Sequence, residues 1–175
     1  MVIAGPGGEE MTTIHRATRA DLSYIKHLGN KESEAIGFIP LQRYEIEMDT
    51  QGTILVAKEN DDYVGFLYAT HNRAGVTRIQ QIAIQEDARL LERGKALVDA
   101  ATKATDWLVS CRCADELPST TFWESLGFQH QGIVPTAKSV YGRGQGDPTL
   151  PTRRHRTINR YQKVVGGLWA TDILQ

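Results

Sequence analysis

In the stretch QIAIQEDARLLERGKALVDA, residues 81–100, an alternation of apolar and polar residues gives way to apolar residues at helical spacing. Arg89, Arg93, Gly94 and Lys95 stand at the changeover. A strand that runs through a short loop into a helix leaves several backbone N–H groups without helical partners, and the helix dipole favours negative charge at that end. The junction is therefore an anion cradle. Gly94 has no side chain to obstruct a ligand, Arg93 and Lys95 add positive charge, and Arg89 stands at the entrance. A pyrophosphate is the simplest ligand with matching chemistry. The spacing is not that of a Walker loop, and only one of the three glycines of a dinucleotide fingerprint is present.

Other reactive side chains form no comparable constellation. Cys111 and Cys113 sit two apart on a strand-like run, so both point to one face and are poorly placed to pair with each other. Without a nearby third ligand they read as buried thiols rather than a metal pair. The five histidines, His15, His27, His71, His130 and His155, are scattered, and no metal is expected. Charge is uneven within a net of -1: residues 137–163 carry Lys138, Arg143, Arg153, Arg154, Arg156, Arg160 and Lys163 against Asp147 alone. Such a segment attracts phosphates, including those of a nucleic acid; equally, it is a solvated loop with an edge strand guarded by cations.

These residues need a frame. With 175 residues, 41% of them hydrophobic, the chain suffices for one domain with a core, and it has no apolar run long enough to cross a membrane. A cytoplasmic location is expected, since the N-terminus lacks the pattern of a secretory signal. Residues 1–11 read as a flexible leader, 12–165 as the domain and 166–175 as a tail. Thr18 and Asp21 resemble a capping box before a helix with Leu22, Ile25 and Leu28 on its apolar face, and Pro40 suits the first turn of a second helix. TILVAKE and YVGFLYAT read as a hairpin around the turn-favouring NDD. RIQQIAIQ is the next strand, and the helix after it carries an exposed Asp99/Lys103 pair at i,i+4. WLVSCRC is a strand, PSTTFWESLGF a short helix ending at Gly127, and HQGIV and RTINRYQKVV two late strands. The expected order is βααβββαβαββ, an α/β (α+β) fold with a mixed sheet.

With that order in place, IAIQEDARLLERGKALVDA together with FWESLGF resembles the GNAT superfamily of acyl-CoA-dependent N-acyltransferases. Arg89 matches the Q/R position of the family's Q/R-x-x-G-x-G/A motif, Glu92 stands where its first glycine falls, and Gly94 takes the G/A position. Trp123, Gly127 and Phe128 match a second anchor, an aromatic followed by Gly-Phe. The resemblance spans roughly residues 12–165. It implies a mostly antiparallel twisted sheet with helices on both faces and two strands splayed around acetyl-CoA. The pantetheine arm would then lie along Ile82, Ala83 and Ile84, and the pyrophosphate on Arg89, Leu90, Leu91, Glu92, Arg93, Gly94, Lys95 and Ala96. The implied reaction is transfer of an acyl group from acetyl-CoA to an amine on a small molecule or protein, releasing CoA.

Two departures bear on that chemistry. Glu92 puts a carboxylate beside the cradle, and Trp123 stands where many members have a tyrosine that protonates the thiolate, which indole N–H does not do near neutral pH. Tyr141, Ser119 and Tyr44 are the alternative acids; Glu34 and Glu47 are candidate bases, and Gln80 and Gln81 stand where a member might place a glutamate. By position, residues 37–40 would line the acceptor pocket. Two other readings stay open. One is a Mom-like DNA-modification protein, with Arg143, Arg153, Arg154, Arg156 and Arg160 on nucleic acid; a basic patch contiguous with the cleft favours it. The other is a non-catalytic binding module. Homodimers are frequent in the superfamily.

Overall fold

A computed structural model describes residues 2–4, 11–50, 52–89, 91–103, 106–114, 119–134 and 158–165. Its elements are β1 (Val2–Ala4), β2 (Met11–Arg16), α1 (Leu22–Lys31), α2 (Ser33–Ile36), α3 (Leu41–Asp49), β3 (Thr53–Glu59), β4 (Asp62–His71), β5 (Val76–Ile84), α4 (Leu91–Ala101), β6 (Leu108–Ala114), α5 (Ser119–Ser125), β7 (Gln129–Val134) and β8 (Ile158–Val164). The strands form one sheet in the order β1-β2-β3-β4-β5-β6-β8-β7. All neighbours are antiparallel except β5 and β6, which are parallel and joined through α4. This is the expected mixed α/β architecture.

Local chemistry explains most boundaries. The Thr18 backbone N–H and hydroxyl both donate to Asp21 Oδ2, at 2.7 and 2.8 Å, closing the turn that launches α1. Asn60 and Asp61 adopt positive φ, so β3 returns as β4 through a two-residue turn of the type that suits hairpin twist. Gly127, at φ 80°, ends the turn after α5, its N–H donating to Glu124 and that of Phe128 to Trp123.

The sheet separates two apolar layers. On one face α4, α5 and the turn after α5 bury Leu97, Val98, Trp123 and Phe128 against Leu67, Ile79, Val109, Cys111 and Cys113. On the other, α1 and α3 bury Ile25, Leu28 and Tyr44 against Val56, Phe66, Tyr68 and Ala83. Fully burying a side chain such as Leu97 or Ile25 contributes ~1.5–3 kcal/mol, so each layer stabilises the helices it holds.

Three expectations need correction. Residues 2–4, read as part of a flexible leader, pair with Met11–Thr13 as β1, because β2 would otherwise present an open edge. The four-residue α2 was not legible, being too short for a period. Asp99 pairs with Lys95 at 2.9 Å and not with Lys103, because α4 ends at Ala101 and leaves Lys103 beyond its last turn. The tail 166–175 lies outside the described residues.

Candidate active site

The site is built from a break in the sheet. Strands β5 and β6 pair only at Val76–Leu108, Thr77–Val109 and Arg78–Ser110, and beyond Arg78 they diverge. Residues 79 and 81–84 keep their partners on the β4 side, and among the described residues the edge facing β6 has no strand beside it. A bulge occurs here: Tyr68 pairs with Gln81 and Ala69 with Ile79, leaving Gln80 unpaired. The extra residue inverts the alternation. Ile79 faces the α4 layer, and beyond the bulge so do Ile82 and Ile84, whereas Gln81 and Ala83 face the α1/α3 layer. The bulge is fixed from below by Gln81, which accepts a hydrogen bond from the Tyr44 hydroxyl and donates to the Gly37 carbonyl at 2.6 Å.

The break opens into a cleft of about 470 Å³. Its walls are β5 from Ile79 to Ile84, Cys111–Cys113 of β6, Ala35 and Ile36 of α2, and Phe122 and Trp123 of α5; Arg89, Leu91, Gly94 and Glu32 stand at the α4 end. The volume is that of a ligand pocket, and the lining is mostly apolar with few polar groups. The first turn of α4, from Leu91, adds backbone N–H groups that the helix does not use.

Of the residues expected in the cradle, Ile82, Ala83, Ile84, Arg89, Leu91 and Gly94 border the cleft, and Leu90 lies outside the described residues. Gly94 has a packing reason as well: a Cβ there would stand 2.7 Å from the Phe122 ring. Two side chains expected to add positive charge are turned elsewhere. Arg93 grips Glu59 through Nε and Nη2, both at 2.5 Å, and donates to the Ala88 carbonyl. Burial alone would raise the Glu59 carboxyl, but the Arg93 and Thr12 hydrogen bonds pull it below its ordinary value. Lys95 is tied to Asp99, Ala96 is buried in the core, and Glu92 is exposed and does not line the cleft. The Glu92 carboxylate thus stands outside the cleft. Arg89 remains at the mouth, donating to Glu32 at 2.9 Å.

Candidate proton carriers fare differently. Tyr44 is 1% exposed, borders no part of the cleft and uses its hydroxyl on Gln81; burial pushes it up to about 12, so it is a packing residue and not an acid. Ser119 opens α5, and Tyr141 lies outside the described residues. Glu47 is buried and paired with Arg43, whereas Glu34 is exposed on α2. Residues 37–40 do not border the cleft, and Phe38 is 68% exposed. Trp123 forms an aromatic wall, edge-on to Phe122 and Phe128. The Cys111 thiol is raised well above its ordinary value by burial and by Cys113, which keeps it neutral. Both thiols are outside any disulfide among the described residues and buried as expected, yet they also border the cleft. Arg143, Arg153, Arg154 and Arg156 lie outside the described residues; Arg160 is exposed on β8. Sequence reasoning missed Glu32, Ala35, Ile36, Arg112 and Phe122, for which only the folded register gives a signal.

A mixed sheet that opens between two parallel strands above a helix N-terminus defines a class of domain that holds a long, phosphorylated ligand by its backbone. The chain belongs to the acetyltransferase (GNAT) family, whose model matches residues 14–128. No curated protein matches the sequence. Among solved structures it is similar to ribosomal-protein-alanine N-acetyltransferase from Brucella melitensis (16% identity, TM-score 0.65, covering 87% of this chain and 99% of that one). It is also similar to Ard1 from Thermoplasma volcanium (16%, 0.67, 89% and 99%). A third similar structure is yncA from Salmonella typhimurium, solved with its cofactor acetyl-CoA (17%, 0.64, 93% and 98%). Acetyl-CoA is the family's cofactor, and the cleft fits it: an open strand edge for the extended arm, apolar walls, and Arg89 with helix N–H groups at one end.

Proposed function

We propose that the protein transfers an acetyl group from acetyl-CoA to a primary amine by direct attack in a ternary complex. The observation that carries this reading is the unpaired β5 edge, residues 79–84, running from the Gln80 bulge to the first turn of α4. When bound, acetyl-CoA supplies a thioester whose carbonyl carbon forms a bond to the amine nitrogen as its bond to sulfur breaks, giving an amide and a thiolate. The chain's part is mainly placement. The backbone of β5 pairs with the extended arm as an added strand would. Arg89 and the α4 N–H groups hold the pyrophosphate, for which Arg89 must exchange its contact with Glu32. Ile82, Ile84 and Trp123 exclude water from the reacting bond.

Proton transfer follows from what the cleft lacks. Among the described residues that border it, Glu32 is the one carboxylate, and Arg89 holds it. On this reading the amine enters in its neutral form and passes its proton to water. Among the described residues neither Trp123 nor the neutral Cys111 thiol is a usable acid, which leaves the proton of the departing thiolate to solvent or to Tyr141, outside the described residues. A rate that rises with pH as the amine loses its proton accompanies such a mechanism.

Titration calorimetry with acetyl-CoA and CoA tests the reading. Micromolar binding is expected for the native chain and should be lost in Ala35→Trp, since Ala35 is half-buried on α2 and a larger side chain there fills the cleft, not the core. Arg89→Ala should weaken binding by about tenfold, the effect of losing one charge-assisted hydrogen bond to phosphate. Binding that is absent from the native chain, or undiminished in Ala35→Trp, would sink the assignment.

A further inference from the structure

Beside the cleft lies a patch that neither the core nor the cofactor uses. On β6, Cys111 and Cys113 face the α4/α5 layer, so Arg112 between them faces the opposite side of the sheet. The register sets Arg112 directly against Arg160 of β8. Arg78 of β5 pairs with Ser110, which lies two residues before Arg112 on the same face of β6. Three arginines thus share one face, and all three are exposed.

Their surroundings are unusual for cations on a sheet. Like charges directly opposite each other on neighbouring strands repel, and native sheets ordinarily set an acid or a neutral residue there. Among the described residues none of the three makes an ion pair or hydrogen bond, although Glu32 borders the same cleft as Arg112. Glu32 instead holds Arg89. Gln80, exposed at the bulge, donates to Thr70 and leaves the arginines open.

Position gives the patch its meaning. Arg112 itself borders the cleft, and β8 lies on the side of β6 away from β5. An anion gripped by Arg112 and Arg160 therefore sits at the rim opposite the strand edge assigned to the cofactor. Two guanidinium forks offer parallel N–H donors to tetrahedral oxygens, and three positive charges match a phosphate dianion better than a single carboxylate. Arg160 belongs to the basic segment 137–163, but of that segment's cations Arg160 and Lys163 alone lie within the described residues, and three guanidinium groups on one face match a single phosphate rather than a strand of them. The chemistry is that of one localised phosphate.

We propose that Arg112 and Arg160, with Arg78 beside them, form the subsite that binds the phosphate of a small phosphorylated amine, and that this amine is the acyl acceptor. The inference rests on the acyl-transfer reading for its second half only. Tethered by its phosphate at the rim, the acceptor has its amine over the open cleft. Its nitrogen forms the bond to the acyl carbon, the carbon–sulfur bond breaks, the amine proton goes to water, and the phosphate is unchanged.

The experiment has two independent readouts. Inorganic phosphate is titrated into the native protein while arginine side-chain Nε–H resonances are followed by NMR. Saturable shifts of Arg112, Arg160 and Arg78 are expected; in Arg112→Gln/Arg160→Gln the remaining Arg78 resonance should report phosphate affinity weakened at least tenfold, whereas Lys26→Gln, at an exposed cation on α1, should leave all three unaltered. Non-saturable shifts, or equal ones in the double variant, overturn the subsite. In parallel, CoA release is measured with O-phosphoethanolamine against ethanolamine and glucosamine 6-phosphate against glucosamine. The expected kcat/KM ratio exceeds ten in favour of the phosphorylated partner and falls towards one in the double variant, mainly through KM. A ratio near one in the native protein, or competition by a single-stranded oligonucleotide far stronger than by inorganic phosphate, overturns the small phosphorylated amine as acceptor. Should CoA fail to bind at all, it is the acyl-transfer reading that falls, while the phosphate titration still decides the subsite.

Discussion

Replacing Gly94 with alanine sets two physical effects against each other. In an exposed helix the change should stabilise by roughly 0.5–1 kcal/mol, since glycine loses more backbone freedom on folding. Here the new Cβ would lie 2.7 and 2.8 Å from Cε2 and Cζ of Phe122, well inside ordinary contact. Overpacking of this kind costs about 1–3 kcal/mol. The clash exceeds the propensity gain, and Gly94→Ala should destabilise by about 1 kcal/mol, which for a chain of this size lowers Tm by roughly 2–4 °C. Phe122 also borders the cleft, so displacement of its ring should weaken CoA binding as well. Urea unfolding of Gly94→Ala, Phe122→Leu and the double variant closes a cycle, with a coupling of about 1 kcal/mol or more expected because the smaller side chain makes room for the methyl group. A stabilised Gly94→Ala with no coupling to residue 122 would refute the packing account and return Gly94 to the role of an unobstructed ligand contact alone.

Two further outcomes follow from buried charge. Arg93→Ala should destabilise the fold by about 3 kcal/mol at pH 7 by urea unfolding, because both partners of the Arg93–Glu59 pair are nearly buried and Glu59 is left with Thr12. The carboxyl of Glu59 is held below its ordinary value in the fold, so this contribution is present at neutral pH and fades as pH falls below about 4.5; a loss of equal size at pH 3 and pH 7 would contradict the assignment. His71 titrates in a different window. It is buried between the hydroxyls of Thr53 and Thr77, and burial first, then Lys103 and Arg16, lower its proton affinity against the pull of Asp106. The unfolded chain therefore binds the extra proton, and the stability that neutral His71 supports is complete above about pH 6.5 and declines below it, by up to about 1.4 kcal/mol per pH unit. Tm measured from pH 7.5 to 5.5 should fall less steeply for His71→Gln than for the native chain; an identical slope would show that another group titrates there.

What could be read from the sequence, and what could not, divides along range. The strand, loop and helix around Arg89 are visible because their signals are local: alternation through Ile84, helical spacing from Leu91, and a glycine among cations. The NDD turn and the shared face of Cys111 and Cys113 are local in the same sense. The bulge at Gln80 is not, since Gln80 and Gln81 look alike in a row of letters and only pairing with Tyr68 and Ala69 decides which of them is the extra residue. That one residue matters for function, because it turns Ile82 and Ile84 into the cleft wall and sends Gln81 to Tyr44.

Charge was the least legible property. From spacing alone, Arg93 and Lys95 belong to the cradle; in the fold each meets an acid, Glu59 far along the chain and Asp99 one turn on, and an arginine that finds a buried carboxylate is no longer available to a phosphate. Arg112, which no motif marks, meets no such acid among the described residues and stands against a second arginine. Positive charge at this site is therefore assigned by what each cation meets in the fold: Arg89 in an ion pair with Glu32 at one end of the cleft, and Arg112 opposite Arg160 at its rim. On the proposed reading, two separated cationic places on one cleft anchor two anionic partners so that the uncharged groups between them meet.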